Sequence, residues 1–146
     1  MCSSDLTWTL RPPVYAGGMF GQMEVPQVFE ANGKWYMLFC TDGSHWSEAY
    51  KRLNPEPPVR GTHYLMADDP FGPWDVAPGA FLDGAQGNRY AGKIVETDKG
   101  LVFMGFRHDA ADGSFIGQVS DPIPVRIDAD GLLHTELDKL PPGAKV

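Results

Sequence analysis

With 146 residues, 42% of them hydrophobic and 12% aromatic, the chain has the size and composition of one globular domain with a real core. A net charge of −7 with the acids scattered singly argues against a nucleic-acid surface, which needs clustered Lys and Arg. No run approaches the length of a membrane-spanning helix, two cysteines are too few for a disulfide framework, and 17 Gly with 13 Pro lacking any period point to many turns and short strands.

Taken in order, Cys2-Ser3-Ser4-Asp5-Leu6 is the translation of a string found at the end of a common sequencing-library adapter, so Met1 to Leu6 is read as non-native and the domain as 7–146. Residues 7–10 predict a short outer strand stopped by Pro12-Pro13, because proline cannot donate to a ladder. A glycine-rich loop over 14–22 then leads to Glu24. Asn32-Gly33 between the apolar runs 25–31 and 34–40 is the strongest short-range hairpin signal, since a type I′ turn needs positive φ at both central residues. The second run is apolar on both faces, with Trp35, Met37 and Phe39 opposite Tyr36, Leu38 and Cys40, so it should be covered on both sides. Cys40 is thereby expected to be a buried, inert thiol.

Residues 41–61 form a polar loop with at most a helical turn over 46–51. A third strand over 62–67, a turn at Asp68-Asp69-Pro70 and a fourth, outer strand over 74–76 complete a unit spanning 22–76. The pattern starts again at 89–97, turns at 98–100, continues in a two-faced strand over 101–106 and a polar loop over 108–114, and adds strands over 115–120, 125–127 and 132–137. This second unit spans 89–137 and a short tail follows. Residues 28–33 lie over 94–98 at an offset of 66, and 67–70 over 119–122 at an offset of 52. Two four-stranded repeats are the signature of propeller blades, so the fold class is all-β, a partial β-propeller of about two antiparallel blades.

Strand parity sorts the loops. The hairpin turns at Asn32-Gly33 and 98–100 fall on one face of the disc, and the long loops 41–61, 77–88 and 107–114 fall on the other, where Glu24 begins its innermost strand. The offset of 66 carries Glu24 onto Tyr90, so both should point into one axial funnel.

Glu24-Val25-Pro26 followed by Val28-Phe29, Asn32-Gly33-Lys34 and Trp35-Tyr36-Met37-Leu38-Phe39 resembles the third-blade motif of glycoside hydrolase family 32, the β-fructosidase and invertase group. Phe81-Leu82-Asp83-Gly84 with Asn88-Arg89-Tyr90-Ala91-Gly92-Lys93 is similar to that family's following motif, Phe103-Met104-Gly105-Phe106 to its aromatic strand, and 118–125 to its later Ser-x-Pro segment. Valine stands where the family has cysteine at 25. The resemblance implies a five-bladed propeller glycosidase of the retaining kind, in which two carboxylates about 5 to 5.5 Å apart divide nucleophilic attack from proton transfer. It assigns Glu24 as acid/base, a role that requires it to hold a proton near neutrality. The family's nucleophile and stabilising aspartates belong to its first two blades, and nothing in the chain corresponds to them. The chain is therefore expected to be the C-terminal part of such a domain, with the missing N-terminal blades as its natural partner, and to hydrolyse little by itself.

By the same resemblance, the substrate is a fructoside or other carbohydrate, Tyr90 lines the funnel, and Asp83, Asn88 and Arg89 reach sugar hydroxyls, although as turn residues they equally suit local caps. Trp46, beside His45 in a long loop, offers an aromatic sugar platform or a loop anchor. The histidines lack metal-ligand spacing, Asp128 to Gly131 lacks the downstream Glu of a calcium loop, and there is no Gly-rich phosphate loop or nucleophile elbow, so neither metal nor cofactor is expected. Nucleic-acid and membrane partners are likewise not expected. Two rival readings stand: an inverting arabinosidase or xylosidase similar to family 43, and a non-catalytic carbohydrate-binding propeller.

Overall fold

The computed structural model describes residues 7, 10, 12–15, 17–54, 57–77, 81–83, 89–110 and 112–135. The expectations for residues 1–6 and 136–137, and for most of the strand at 7–10, lie outside these residues. The chain folds as two antiparallel sheets, one after the other, as expected of adjacent propeller blades.

The first sheet has the order β1-β2-β3-β4, with β1 at Glu24–Ala31, β2 at Lys34–Thr41, β3 at Gly61–Ala67 and β4 at Phe81–Asp83. Its opening turn is set by Asn32 (φ 54°) and Gly33 (φ 76°), the two positive φ values that the Asn-Gly pair predicts. Between β2 and β3, Asp42 starts a 3-10 turn over Gly43–His45 by accepting from Ser44 N, and the Ser47 hydroxyl caps the helix α1 at Glu48–Leu53. The second sheet joins β5 (Tyr90–Thr97), β6 (Gly100–Asp109), β7 (Phe115–Val119), β8 (Ile123–Ile127) and β9 (Leu133–Thr135).

Two details of the predicted strands are corrected. The fourth strand of the first sheet is not 74–76, which contributes only a bridge between Asp75 and Met66; the paired strand is β4, against Thr62 and His63. Asp121-Pro122 does not end the third strand of the second sheet but interrupts it, because β7 and β8 both pair with β6, at Phe106 to Asp109 and at Val102 to Phe103. The offset of 52 was a likeness of turn residues and not of position. Pro122 has no N–H to give a ladder, and buried Ser120 bridges the break: its N–H donates to Gly105 O (2.8 Å) and its hydroxyl accepts from Gly105 N–H (3.0 Å).

Strand β2 is covered on both faces. Tyr36 and Leu38 join Tyr64, Leu82, Ile94, Phe103, Ile123 and Leu133 in the core between the sheets, and Met37 and Phe39 join Leu65, Ala67 and Trp74 in a second core closed by Tyr15, Phe20 and Met23. Cys40 is fully buried, its Sγ 3.4 Å from Thr62 Oγ1. The sheets come close at Gly92, where a Cβ would collide with the Phe103 ring of its own sheet and lie 2.6 Å from Thr62 Oγ1 of the other. On the far side of the second sheet, Val95, Phe115 and Val119 are exposed.

His63 is fully buried, with its Nδ1 3.0 Å from the Tyr50 hydroxyl and the rings of Phe20, Phe39, Trp46 and Tyr50 around it. Burial pushes its pKa down from 6.5 to about 3. Between those values the unfolded chain takes up a proton that the folded chain refuses, so stability should fall as pH drops through this window. Melting temperatures measured from pH 7.5 to pH 4 should decline more steeply for the parent than for His63→Gln; equal slopes would show that His63 does not carry the effect. Gly92→Ala should cost about 1 to 3 kcal/mol in urea unfolding, because both neighbours are packed and neither can retreat freely.

Candidate functional site

Among the described residues β1 pairs only with β2 and β5 only with β6, so each keeps one edge of unpaired backbone, and the two strands lie beside each other. Both strands begin with a bulge, between Glu24 and Gln27 and between Tyr90 and Lys93. Each bulge holds a non-glycine residue in the left-handed region, Val25 (φ 47°) and Ala91 (φ 53°), which stand 66 positions apart. That conformation costs of order 1 to 3 kcal/mol for a residue with a Cβ, and a bulge re-aims the side chain beside it. Here the side chains beside the bulges are Glu24 and Tyr90.

They meet. The Tyr90 hydroxyl donates to Glu24 Oε2, and Gln22 Nε2 donates to Oε1 at 2.8 Å, so both carboxylate oxygens have a partner and half-buried Glu24 is held in one orientation. The fold thus brings residues 24 and 90 together, by a direct hydrogen bond. Burial, together with the hydrogen bond and negative charge of Glu24, pushes the Tyr90 phenol well above its ordinary value, opposed in part by the Arg60 cation. The Arg60 guanidinium carbon lies 5.5 Å from the Tyr90 ring centroid. Next along the edge, Lys93 Nζ donates to Val25 O and, at 3.4 Å, to Pro26 O, which places a cation on the bulge that carries Glu24.

The other predicted residues fall into three groups. Asp83 stands at the same end of the sheet as Glu24, through the pairings of Glu24 with Cys40, Cys40 with Thr62 and Thr62 with Asp83; its side chain, and all of Asn88, lie outside the described residues. Half-buried Arg89 packs its backbone over Gly105. Trp46 is the anchor and not the platform: it is 3% exposed, bridges Phe20, and sits edge-on to Tyr50 and His63, because the loop after β2 folds inward over the second core.

Sequence reasoning missed Gln22, Gln27 and Arg60. Gln27 could have been found, since the offset of 66 pairs it with Lys93, the basic residue of the following motif. Arg60 gave no local signal, because only closure of the long loop brings it over Tyr90.

Comparison of folds decides what kind of scaffold this is. Bacillus subtilis levansucrase in complex with oligosaccharides matches over 82% of this chain and 28% of that one, at 17% identity and a TM-score of 0.58. An endo-1,4-beta-xylanase from Bacteroides thetaiotaomicron matches over 79% of this chain and 38% of that one (19% identity, TM-score 0.51), and the GH43 BlXynB protein of Bacillus licheniformis over 76% and 21% (17% identity, TM-score 0.51). The fold is part of a five-bladed β-propeller. No protein-family model matches the chain, and no curated protein matches it in sequence. The chain spans less than two-fifths of the length of each of these structures.

Removing the charge of Glu24 should move Tyr90 toward the ordinary phenol value without bringing it there, since burial is the largest cause of its shift. A spectrophotometric titration of Glu24→Gln should thus show one tyrosine ionising at lower pH than in the parent; an unchanged curve would mean that the two groups are not coupled.

Proposed function

We propose that the chain is part of a glycoside hydrolase acting on fructosyl or related bonds, with Glu24 as its acid/base. The observation that carries this reading is the placement of a single carboxylate at a bulged strand end, both oxygens held, in contact with the tyrosine of the neighbouring blade. The likeness of the chain to the β-fructosidase motif supports it, as does the fold it shares with a levansucrase that binds oligosaccharides. In this mechanism a carboxylate from an upstream blade attacks the anomeric carbon while Glu24 gives its proton to the departing glycosidic oxygen. Water then displaces the enzyme carboxylate as Glu24 takes a proton from it, so the enzyme is regenerated and the bond is hydrolysed. Tyr90 orients Glu24 through its hydroxyl, and Arg60 lies against the Tyr90 ring. The exposed Val95, Phe115 and Val119 face is where another blade would pack.

A second reading has an observation of its own. The xylanase and the GH43 protein share the fold, which favours an inverting enzyme as the alternative; that chemistry needs the two carboxyl groups about 6.5 to 9.5 Å apart, with room for water.

The test uses a longer reading frame that restores the upstream blades. There Glu24→Ala should lower kcat on an unactivated fructoside about 100- to 10,000-fold, and much less on a substrate whose leaving group needs no proton. Equal losses on both substrates would remove Glu24 from the acid/base role. Strong hydrolysis by residues 7–146 alone, abolished in Glu24→Ala, would overturn the upstream nucleophile.

A further inference from the structure

In an antiparallel pair each residue points its N–H and its C=O to the same side. At Ile94 both point away from β6, to the edge of β5 beside β1, with which no described strand pairs. The Gln27 side chain fills that place: its Nε2 donates to Ile94 O at 2.7 Å, and its Oε1 accepts from Ile94 N–H at 2.8 Å. A primary amide can do both at once in this geometry at any ordinary pH. A carboxylate cannot donate, an alcohol or amine spans only one of the two atoms, and reversing the amide would set like against like. The side chain thus imitates one rung of the next strand.

Its position along the edge gives the rung a second consequence. Gln27 is three residues from Glu24 and Ile94 is four from Tyr90, with a bulge in each interval. Between the rung and the Glu24 and Tyr90 pair sits Lys93, tied to the carbonyls of the Val25 bulge. Three ties therefore run in series along one seam, and the amide is the one anchored in the rigid part of both strands, opposite Leu38 on one side and Phe103 on the other, both fully buried.

We infer that Gln27 is a positioning residue: by holding both backbone groups of Ile94 it fixes the inner strand of the second blade, and with it the Tyr90 hydroxyl, against Glu24. This deepens the proposed site and rests on Glu24 being its working carboxylate, but its test does not depend on hydrolysis. The readout is the proton NMR signal of the hydrogen-bonded Tyr90 hydroxyl, assigned by its disappearance in Tyr90→Phe. In Gln27→Met, which keeps the bulk and removes both hydrogen bonds, that signal should be lost while the amide signals of β2 and β3 stay dispersed. In Leu133→Val, which weakens the core between the sheets without touching the seam, it should persist. A signal unchanged in Gln27→Met overturns the inference, and so does a signal lost equally in both variants, since that would be general loosening. Should Gln27→Met fail to fold, amide exchange in the unaltered chain decides: the Ile94 N–H should exchange at least about tenfold more slowly than that of exposed Glu96, and equal rates overturn the inference. If these signals behave as expected but the longer protein with intact Glu24 hydrolyses no glycoside, the positioning role stands and the enzymatic reading fails.

Discussion

Two strand edges that face each other without pairing are the constraint on which the rest of this structure depends. A buried or half-buried backbone N–H or C=O left unmet costs of order 1 to 3 kcal/mol, so the seam between β1 and β5 must be closed by something other than a ladder. The chain closes it reciprocally. Gln27 of the first blade meets Ile94 of the second, and Lys93 of the second meets Val25 and Pro26 of the first. Proline is tolerated at 26 for the same reason, because an edge residue has no partner strand to which it must donate. With the seam tied, Gly92 can bring the sheets into van der Waals contact, and the core from Tyr36 to Leu133 closes behind it.

The candidate site lies along that seam. Glu24 has both oxygens engaged, by an amide on one side and a phenol on the other, so its orientation is set before any ligand arrives. Its partner Tyr90 is a poor acid where it sits, kept neutral by burial and by the neighbouring carboxylate, and so remains a donor across the ordinary pH range. Arg60 adds a cation to the face of that ring.

Much of this was legible in the sequence because it is periodic. Alternation predicted the two faces of β2, Asn-Gly predicted its turn, and the offset of 66 placed Glu24 and Tyr90 together. What resisted reading was aperiodic. The break at Pro122 is bridged by one serine whose role depends on Gly105 in another strand, and the fourth strand at Phe81–Asp83 lies beyond the Trp74 segment that carries the apolar signal. Trp46 was ambiguous for a physical reason: an indole in a long loop suits either a sugar or a core, and only the folding of that loop over Phe20 and His63 decides between them. Arg60 acts through a contact between blades, which no local pattern records.

The paired left-handed residues have a last implication. Val25 and Ala91 accept the same unfavourable backbone at equivalent places, yet the residues that precede them are chemically unlike, an acid and a phenol. The backbone thus supplies two matching sockets that fix where a group will be delivered without specifying which group. On such a scaffold the chemistry of the axis can be rewritten by changing one side chain per blade, with the delivery left intact.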